Sequence, residues 1–339
     1  MSTVEMHAAM ETCAGTHVAR RKHNEDAFLV DRDSGLVIVA DGVGGHQAGE
    51  VASGITCEVI ASSLTSGADL SEAIRNSNKA VMTAVTDGRG REGMASTVVA
   101  ALFDGADYRI DWVGDSRAYL WDGQLHLLTR DHSYVAAQLE LGKITLEQAR
   151  NHPRKNVIVQ AIGLQSEENL RVDTCSGRLA AGETLLLCSD GLNDVLDSAQ
   201  IAKILASGKT PQQRCDSLIE ETVQAGGRDN VTVALVRAGD EIDSVGLQPA
   251  KVWTYDPATD EHLGLPEVVG VEITQPNVRR VTPKSRHSTQ MMPVAQVEAM
   301  RQLAVKADRR ERRNRTLWIV LLATVVTAVA LGAAYVTLA

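Results

Sequence analysis

The chain has 339 residues, 44% hydrophobic and 23% charged, an ordinary globular composition with enough length for one large core or two smaller ones. Its net charge of -9 is uneven: residues 279–315 hold 11 Lys/Arg against 3 Asp/Glu, so the body before them is strongly acidic, which excludes a nucleic-acid binder with a basic patch on its folded domain. Five cysteines, odd in number and never spaced Cys-x-x-Cys, exclude a disulfide framework or cysteine-held zinc and fit a reducing compartment.

The N-terminus, MSTVEMHAAMETCAG, has neither a basic start nor an apolar run and does not read as an export signal. Strands are predicted at Leu36–Ala40, Ser96–Phe103, Tyr108–Val113, Arg117–Trp121, Thr184–Cys188 and Val231–Val236, several rich in β-branched residues. Trp121-Asp122-Gly123-Gln124 carries the signature of a two-residue hairpin turn. Helices are predicted over 49–64, 70–85, 198–206 and 211–225. Runs of strands between pairs of helices favour antiparallel sheets covered by helices over a βαβ alternation.

After about residue 240 the pattern changes. Residues 241–293 carry six of the eight prolines and read as a linker. A charged helix is expected over 294–314, followed by LWIVLLATVVTAVALGAAYVTL (317–338), uncharged for 22 residues. At about 1.5 Å per residue that run matches a hydrocarbon core about 30 Å thick, which predicts a membrane span. RRERRNR (309–315) just before it places the preceding domain on the cytoplasmic side by the positive-inside rule. The expected organisation is a domain at 1–240, a linker and basic segment at 241–316, and an anchor at 317–338.

The chemistry lies in the acids. Asp41 ends the apolar run LVIVA, Asp190 follows TLLLCS, and Asp229 precedes VTVALV. Glu25 and Asp26 precede AFLV, and Asp131 closes LTRD. Asp-Gly pairs recur at 41, 87, 104, 122 and 190, and most must be turns. Five acidic sites at strand edges can nonetheless be aimed into one cleft. Carboxylates without cysteine are hard oxygen ligands that select Mg²⁺ or Mn²⁺ over zinc. Glycine at 42 allows close approach of its carbonyl, and arginines 20 and 21 supply planar donors for a phosphate.

The motifs RKHNEDAF (21–28), VADGVGGHQAGEVAS (39–53), GMASTVVAAL (93–102), VGDSRAYL (113–120), LTRDHS (128–133), CSDGL (188–192) and GGRDNVTV (226–233) together resemble the PPM family of metal-dependent serine/threonine phosphatases, the protein phosphatase 2C type in its bacterial form. The resemblance covers nearly all of residues 12–238. It implies an α+β fold, a four-layer αββα sandwich of two antiparallel sheets flanked by helices, to which the C-terminal transmembrane helix is added. It also implies two Mn²⁺ or Mg²⁺ ions: Asp41 bridging both, the Gly42 carbonyl on one, and Asp190 and Asp229 completing a shell. Glu25 and Asp26 would hold metal-associated water, and Arg21 would clamp the substrate phosphate. Asp131 matches an acid that, with Asp190, supports a third metal, and His46 lies where the family places a proton donor. Asp115 is expected to be structural. Residues 134–163 resemble a flap beside the cleft, and Met-Ala-Ser-Thr (94–97) departs from a usual Met-Gly-Thr-Thr. Phosphorylated proteins and a Ser/Thr kinase are the implied partners.

Two rivals stand beside this reading. A nucleotide-binding loop fails because Gln47 occupies the third glycine position after Gly42-Val43-Gly44, and the loop holds no Gly-Lys-Ser/Thr. A catalytically silent, membrane-tethered module that binds phosphoproteins would be expected to lack one or more ligand acids, and every expected acid is present.

Overall fold

The structure, a computed structural model, describes residues 10–44 and 48–240, together with the residue pairs 254–255, 262–263 and 290–291. His46, the expected helix over 294–314 and the apolar run 317–338 lie outside the described residues. Among the described residues no helix is long and apolar enough to cross a membrane.

Two antiparallel sheets carry the fold. The first contains β1 (Met10–His17), β12 (Val231–Ala238), β11 (Thr184–Cys188), β7 (Arg117–Trp121) and β8 (Leu125–Leu127), in that order. The second contains β10 (Asp173–Arg178), β6 (Asp107–Val113), β5 (Val98–Asp104), β3 (Leu36–Val43) and β2 (Asp26–Asp31), with β4 (Ala95–Ser96) added at the end of β3. Helices α1 (Ala48–Thr65) and α2 (Leu70–Thr86) cover the second sheet. Helices α6 (Ser198–Leu205) and α7 (Pro211–Gln224) cover the first.

Alternation along the strands builds the four layers. In β3, Val37 and Val39 point between the sheets, where Leu185 and Leu187 of β11 and Ala234 and Val236 of β12 meet them. The intervening Leu36, Ile38 and Ala40 pack on Ala52, Ile60, Ile74 and Val81 of the helices. On the other outer face, Leu186, Val233 and Leu235 pack on Ile201, Leu205, Cys215 and Leu218. Strands covered on both faces need apolar side chains at every position, as LVIVA and TLLLC show.

The expected strands are present, with two main changes: the strand predicted to end at Ala40 runs on through Asp41 to Val43, and the one predicted over Ser96–Phe103 is divided at Thr97 between β4 and β5. Within the two sheets, four further strands, β1, β2, β8 and β10, were not predicted. The β7–β8 hairpin turns through three residues, not two, because Trp121 pairs with Leu125 and Gly123 adopts φ +108°. A Gly208-Lys209-Thr210 triplet is no phosphate loop: Lys203 stands where the motif requires its first glycine, and Thr210 caps α7. Between the sheets' sequences, residues 134–163 form α3 (Tyr134–Glu140), α4 (Leu146–Arg150) and β9 (Val157–Ile158). The short strands β13 (Thr254–Tyr255) and β14 (His262–Leu263) pair with each other, and β15 (Gln290–Met291) pairs parallel with β9.

Candidate metal centre

Every acid singled out from the sequence lies at one end of the sandwich. β3 runs toward that end with Asp41 near its tip, opposite Asp26 at the start of antiparallel β2. Asp190 follows β11 as the first residue of the short helix α5 (Asp190–Asn193), and Asp229 precedes β12. Asp115 follows β6, and Asp131 lies between β8 and α3.

The two sheets are tied together at this end. Asp26 Oδ2 accepts hydrogen bonds from Ser189 Oγ (2.8 Å) and Thr232 Oγ1 (2.6 Å), both on the opposite sheet's side. Thr97 Oγ1 and Ser116 Oγ lie 2.7 Å apart. The backbone of Asp41 is held by Ser96 and Thr97: the Thr97 amide donates to the Asp41 carbonyl at 2.8 Å, Ser96 Oγ donates to it at 3.2 Å, and the Asp41 amide donates to Thr97 Oγ1. Its carboxylate is therefore presented from a fixed strand.

The five Asp-Gly pairs divide by conformation. Gly88, Gly105 and Gly123 have positive φ and form turns, but Gly42 and Gly191 do not. Those two are required for close approach instead. A Cβ on Gly42 would sit 2.1 Å from the Gly49 carbonyl oxygen, and one on Gly191 would sit 1.9 Å from that of Asn230. The first contact seats α1 on the tip of β3, and the second sets Asp190 beside the Asp229–Asn230 segment.

Asn230 organises the loop after β1. Its Nδ2 donates to the Val18 and His23 carbonyls at 3.1 and 3.0 Å, and its Oδ1 accepts from the Glu25 amide at 2.8 Å. This holds Arg21 and Glu25 at the acidic end. Sequence reading passed over Asn230, although its place beside Asp229 and the polar demands of a buried loop were the available signal.

Repulsion dominates the electrostatics. Burial, and then the charges of Asp26, Asp190, Asp229 and Asp115, push the Asp41 carboxyl well above the usual range. Burial, with Asp229 adding to it, pushes Asp26 up to about 7 against the two hydroxyl bonds that favour its carboxylate. Asp115 is raised well above its ordinary value by burial and then by Asp190 and Asp131. Burial also raises Asp229 and Glu25, in each case opposed by Arg21. Two oxygens here, Glu25 Oε1 and Asp115 Oδ1, are buried with no hydrogen-bond donor.

Arg21 and Asp131 are each engaged in an ion pair. Arg21 hydrogen-bonds Asp229 and lies 3.6 Å from Glu25, so its guanidinium neutralises the cluster from within. Both Asp131 oxygens are taken by Arg117, at 2.9 and 2.7 Å. Asp115, expected to be structural, is buried, and its charge is among those that raise Asp41.

Among the described residues no three of these side chains already converge as a coordination sphere. The donor set nonetheless fits a hard divalent cation. It is made of carboxylate oxygens, it is buried, its members raise one another's pKa, and two of its oxygens lack a donor.

The profile of the protein phosphatase 2C family matches residues 14–236, and those residues contain this whole centre. The chain belongs to the protein phosphatase 2C family. Among curated proteins it is similar to the serine/threonine phosphatase stp of Listeria innocua, 37% identical over 245 residues, which cover 68% of this chain and 95% of that one. Among solved structures it resembles the Mycobacterium tuberculosis serine/threonine phosphatase PstP/Ppp, with 33% identity and a TM-score of 0.62 over 68% of this chain and 99% of that one. It also resembles the catalytic domain of PstP in complex with two manganese ions, at 31% identity and a TM-score of 0.59 over the same shares.

Proposed function

We propose that this chain is a metal-dependent phosphatase that hydrolyses phosphoserine and phosphothreonine on proteins. The carrying observation is the set of mutually repelling carboxylates at one end of a protein phosphatase 2C sandwich. Asp41, Asp190, Asp229 and the Gly42 carbonyl would hold two Mn²⁺ or Mg²⁺ ions. When bound, these supply Lewis acidity, which lowers the pKa of water and offsets the charge of the phosphate. Glu25 and Asp26 orient water at the edge of the cluster. Arg21, already poised between Asp229 and Glu25, exchanges part of that pairing for the oxygens of the substrate phosphate. Cys188, two residues before Asp190, is no competing nucleophile, because burial pushes its thiol up to about 12. A third cation, where one binds, would be met by Asp190 with Asp115, whose Oδ1 lacks a donor, while Asp131 orients Arg117 beside them. His46 or a water would protonate the leaving alkoxide.

The apolar run 317–338 and its arginine-rich flank support a single-pass anchor with the 1–240 domain on the cytoplasmic face, its substrates being phosphoproteins and a Ser/Thr kinase near that surface. Thr282, Ser285, Ser288 and Thr289 lie among Arg and Lys, a setting for a basophilic kinase.

The test of activity is hydrolysis of a phosphothreonine peptide by the purified chain: turnover in Mn²⁺, none in excess EDTA, and none for Asp41→Asn. Full activity in EDTA, or in that variant, overturns the assignment. Membrane attachment is tested separately by sedimentation, carbonate extraction and protease access. Release by carbonate, or access only from the outer side, refutes it.

A further inference from the structure

His132 is buried behind the acidic centre and belongs to none of the roles above. Its backbone and side chain grip one short turn. The His132 amide donates to the Gly114 carbonyl at 2.8 Å, and the Gly114 amide donates to His132 Nδ1 at 3.2 Å. Gly114, at φ +111°, is the residue before Asp115, and a Cβ there would meet Thr97 at 2.6 Å. The turn is thus pressed against Thr97, which also holds the Asp41 backbone.

Because Nδ1 accepts from Gly114, Nε2 is the ring nitrogen left to donate; it lies 3.2 Å from Asp173 Oδ2, at ion-pair distance but without hydrogen-bond geometry. Arg171 holds Asp173 in turn, its Nε donating to Oδ1 at 2.6 Å. Burial opposes the charge on Asp173, but His132 and Arg171 outweigh it and keep the carboxyl well below the usual range. The Trp112 ring stacks on the imidazole, with centroids 6.3 Å apart.

The same residue reaches the flap. The Val159 amide donates to the His132 carbonyl at 2.7 Å, and Ser133 bridges to Ile158 of β9. At the flap's other root, Ile162 and Ser96 exchange amide hydrogen bonds at 2.8 and 3.0 Å. One root is therefore stitched to the Asp115 turn and the other to the Asp41 strand.

We propose that His132 is a positioning residue that locks the Asp115 turn to the base of the 134–163 flap, with Asp173 fixing the ring. The assignment rests on the phosphatase reading above. Asn at this position can keep an acceptor near Nδ1, whereas Gln reaches toward Asp173 and leaves the Gly114 amide unmet. A residue that only fills space makes no such distinction.

The experiment compares the full chain with His132→Asn, His132→Gln and His132→Ala. It measures Mn²⁺ binding by calorimetry, amide exchange over 157–162 in the metal-free protein, and kcat and KM on a phosphothreonine peptide. In the Gln and Ala variants we expect Mn²⁺ affinity to fall several-fold, exchange at 157–162 to rise, and kcat to drop about tenfold with KM little changed. The Asn variant should recover most of all three. Should Ala fail to fold, the Asn–Gln comparison carries the test. Equal behaviour of Asn and Gln, or unchanged Mn²⁺ affinity and exchange in folded Gln, overturns the role. Absence of Mn²⁺-dependent turnover in the unsubstituted chain would instead sink the phosphatase reading, and the exchange data would still judge the lock.

Discussion

Removing one charge from the acidic end should stabilise the metal-free protein while damaging its activity, and Asp26 is the place to test this. Its carboxyl is pushed from 3.8 up to about 7, chiefly by burial and then by Asp229. Unfolded, it ionises near pH 4; folded, it holds its proton until about pH 7. The penalty is therefore absent below about pH 4, grows as pH rises, and is complete above about 7. At about 1.4 kcal/mol per pH unit the gap is worth about 4 kcal/mol, an upper bound because Asp41 protonates in the same cluster. Asp26→Asn removes the charge and keeps an oxygen to accept from Ser189 and Thr232. In EDTA at pH 8 the variant should gain about 2–4 kcal/mol, which moves a urea midpoint by about 1 M for a domain of this size. The gain should shrink steadily toward pH 4. Turnover in Mn²⁺ should fall at every pH. Equal or lower stability of the variant at pH 8, or a gain that does not change with pH, would refute the account of repulsion.

Gly42→Ala places a methyl group 2.1 Å from a backbone oxygen, so the melting temperature should fall by an amount equal to about 3 kcal/mol or more, with activity lost. Arg117→Met leaves the partly buried Asp131 carboxylate without its donors and should cost about 2–4 kcal/mol by chemical denaturation. Arg21→Ala should raise KM for phosphopeptide several-fold and leave kcat the less affected, as steady-state kinetics will show. If Asp115 serves beside Asp190, Asp115→Asn should lower kcat more than Asp131→Asn does at equal Mn²⁺, and the reverse order would restore Asp131 to that place.

The division between what could and could not be read from the sequence follows position in the sheets. The six strands legible as apolar runs, β3, β5, β6, β7, β11 and β12, are the interior strands of the two sheets. Each is covered on both faces and flanked on both edges, so nearly every residue had to be apolar. The four that were missed, β1, β2, β8 and β10, are the edges. DTCSGR in β10 buries little beyond Gly177, and METCAGTH in β1 buries two residues of eight, so neither has a strong period. The acids were legible because strand ends concentrate them, and the motifs fixed their order. What could not be read was their pairing. That Arg21 engages Asp229 and Arg117 engages Asp131 depends on which strand tips become neighbours, and a pair such as Arg21 and Asp229, 208 residues apart, leaves no local pattern.

The pairing of the first strand with the last has a bearing on reach. Met10 sits opposite Ala238 and His17 opposite Val231, so the acids adjoin the His17–Val231 end. Strand β12 finishes at the other end, about 23 Å away along the strand at about 3.3 Å per residue, but the chain later returns to the flap, where β15 pairs with β9. If the run 317–338 anchors the chain as proposed, its pull would fall on the β9–β15 pair at the flap and not on the end of β12.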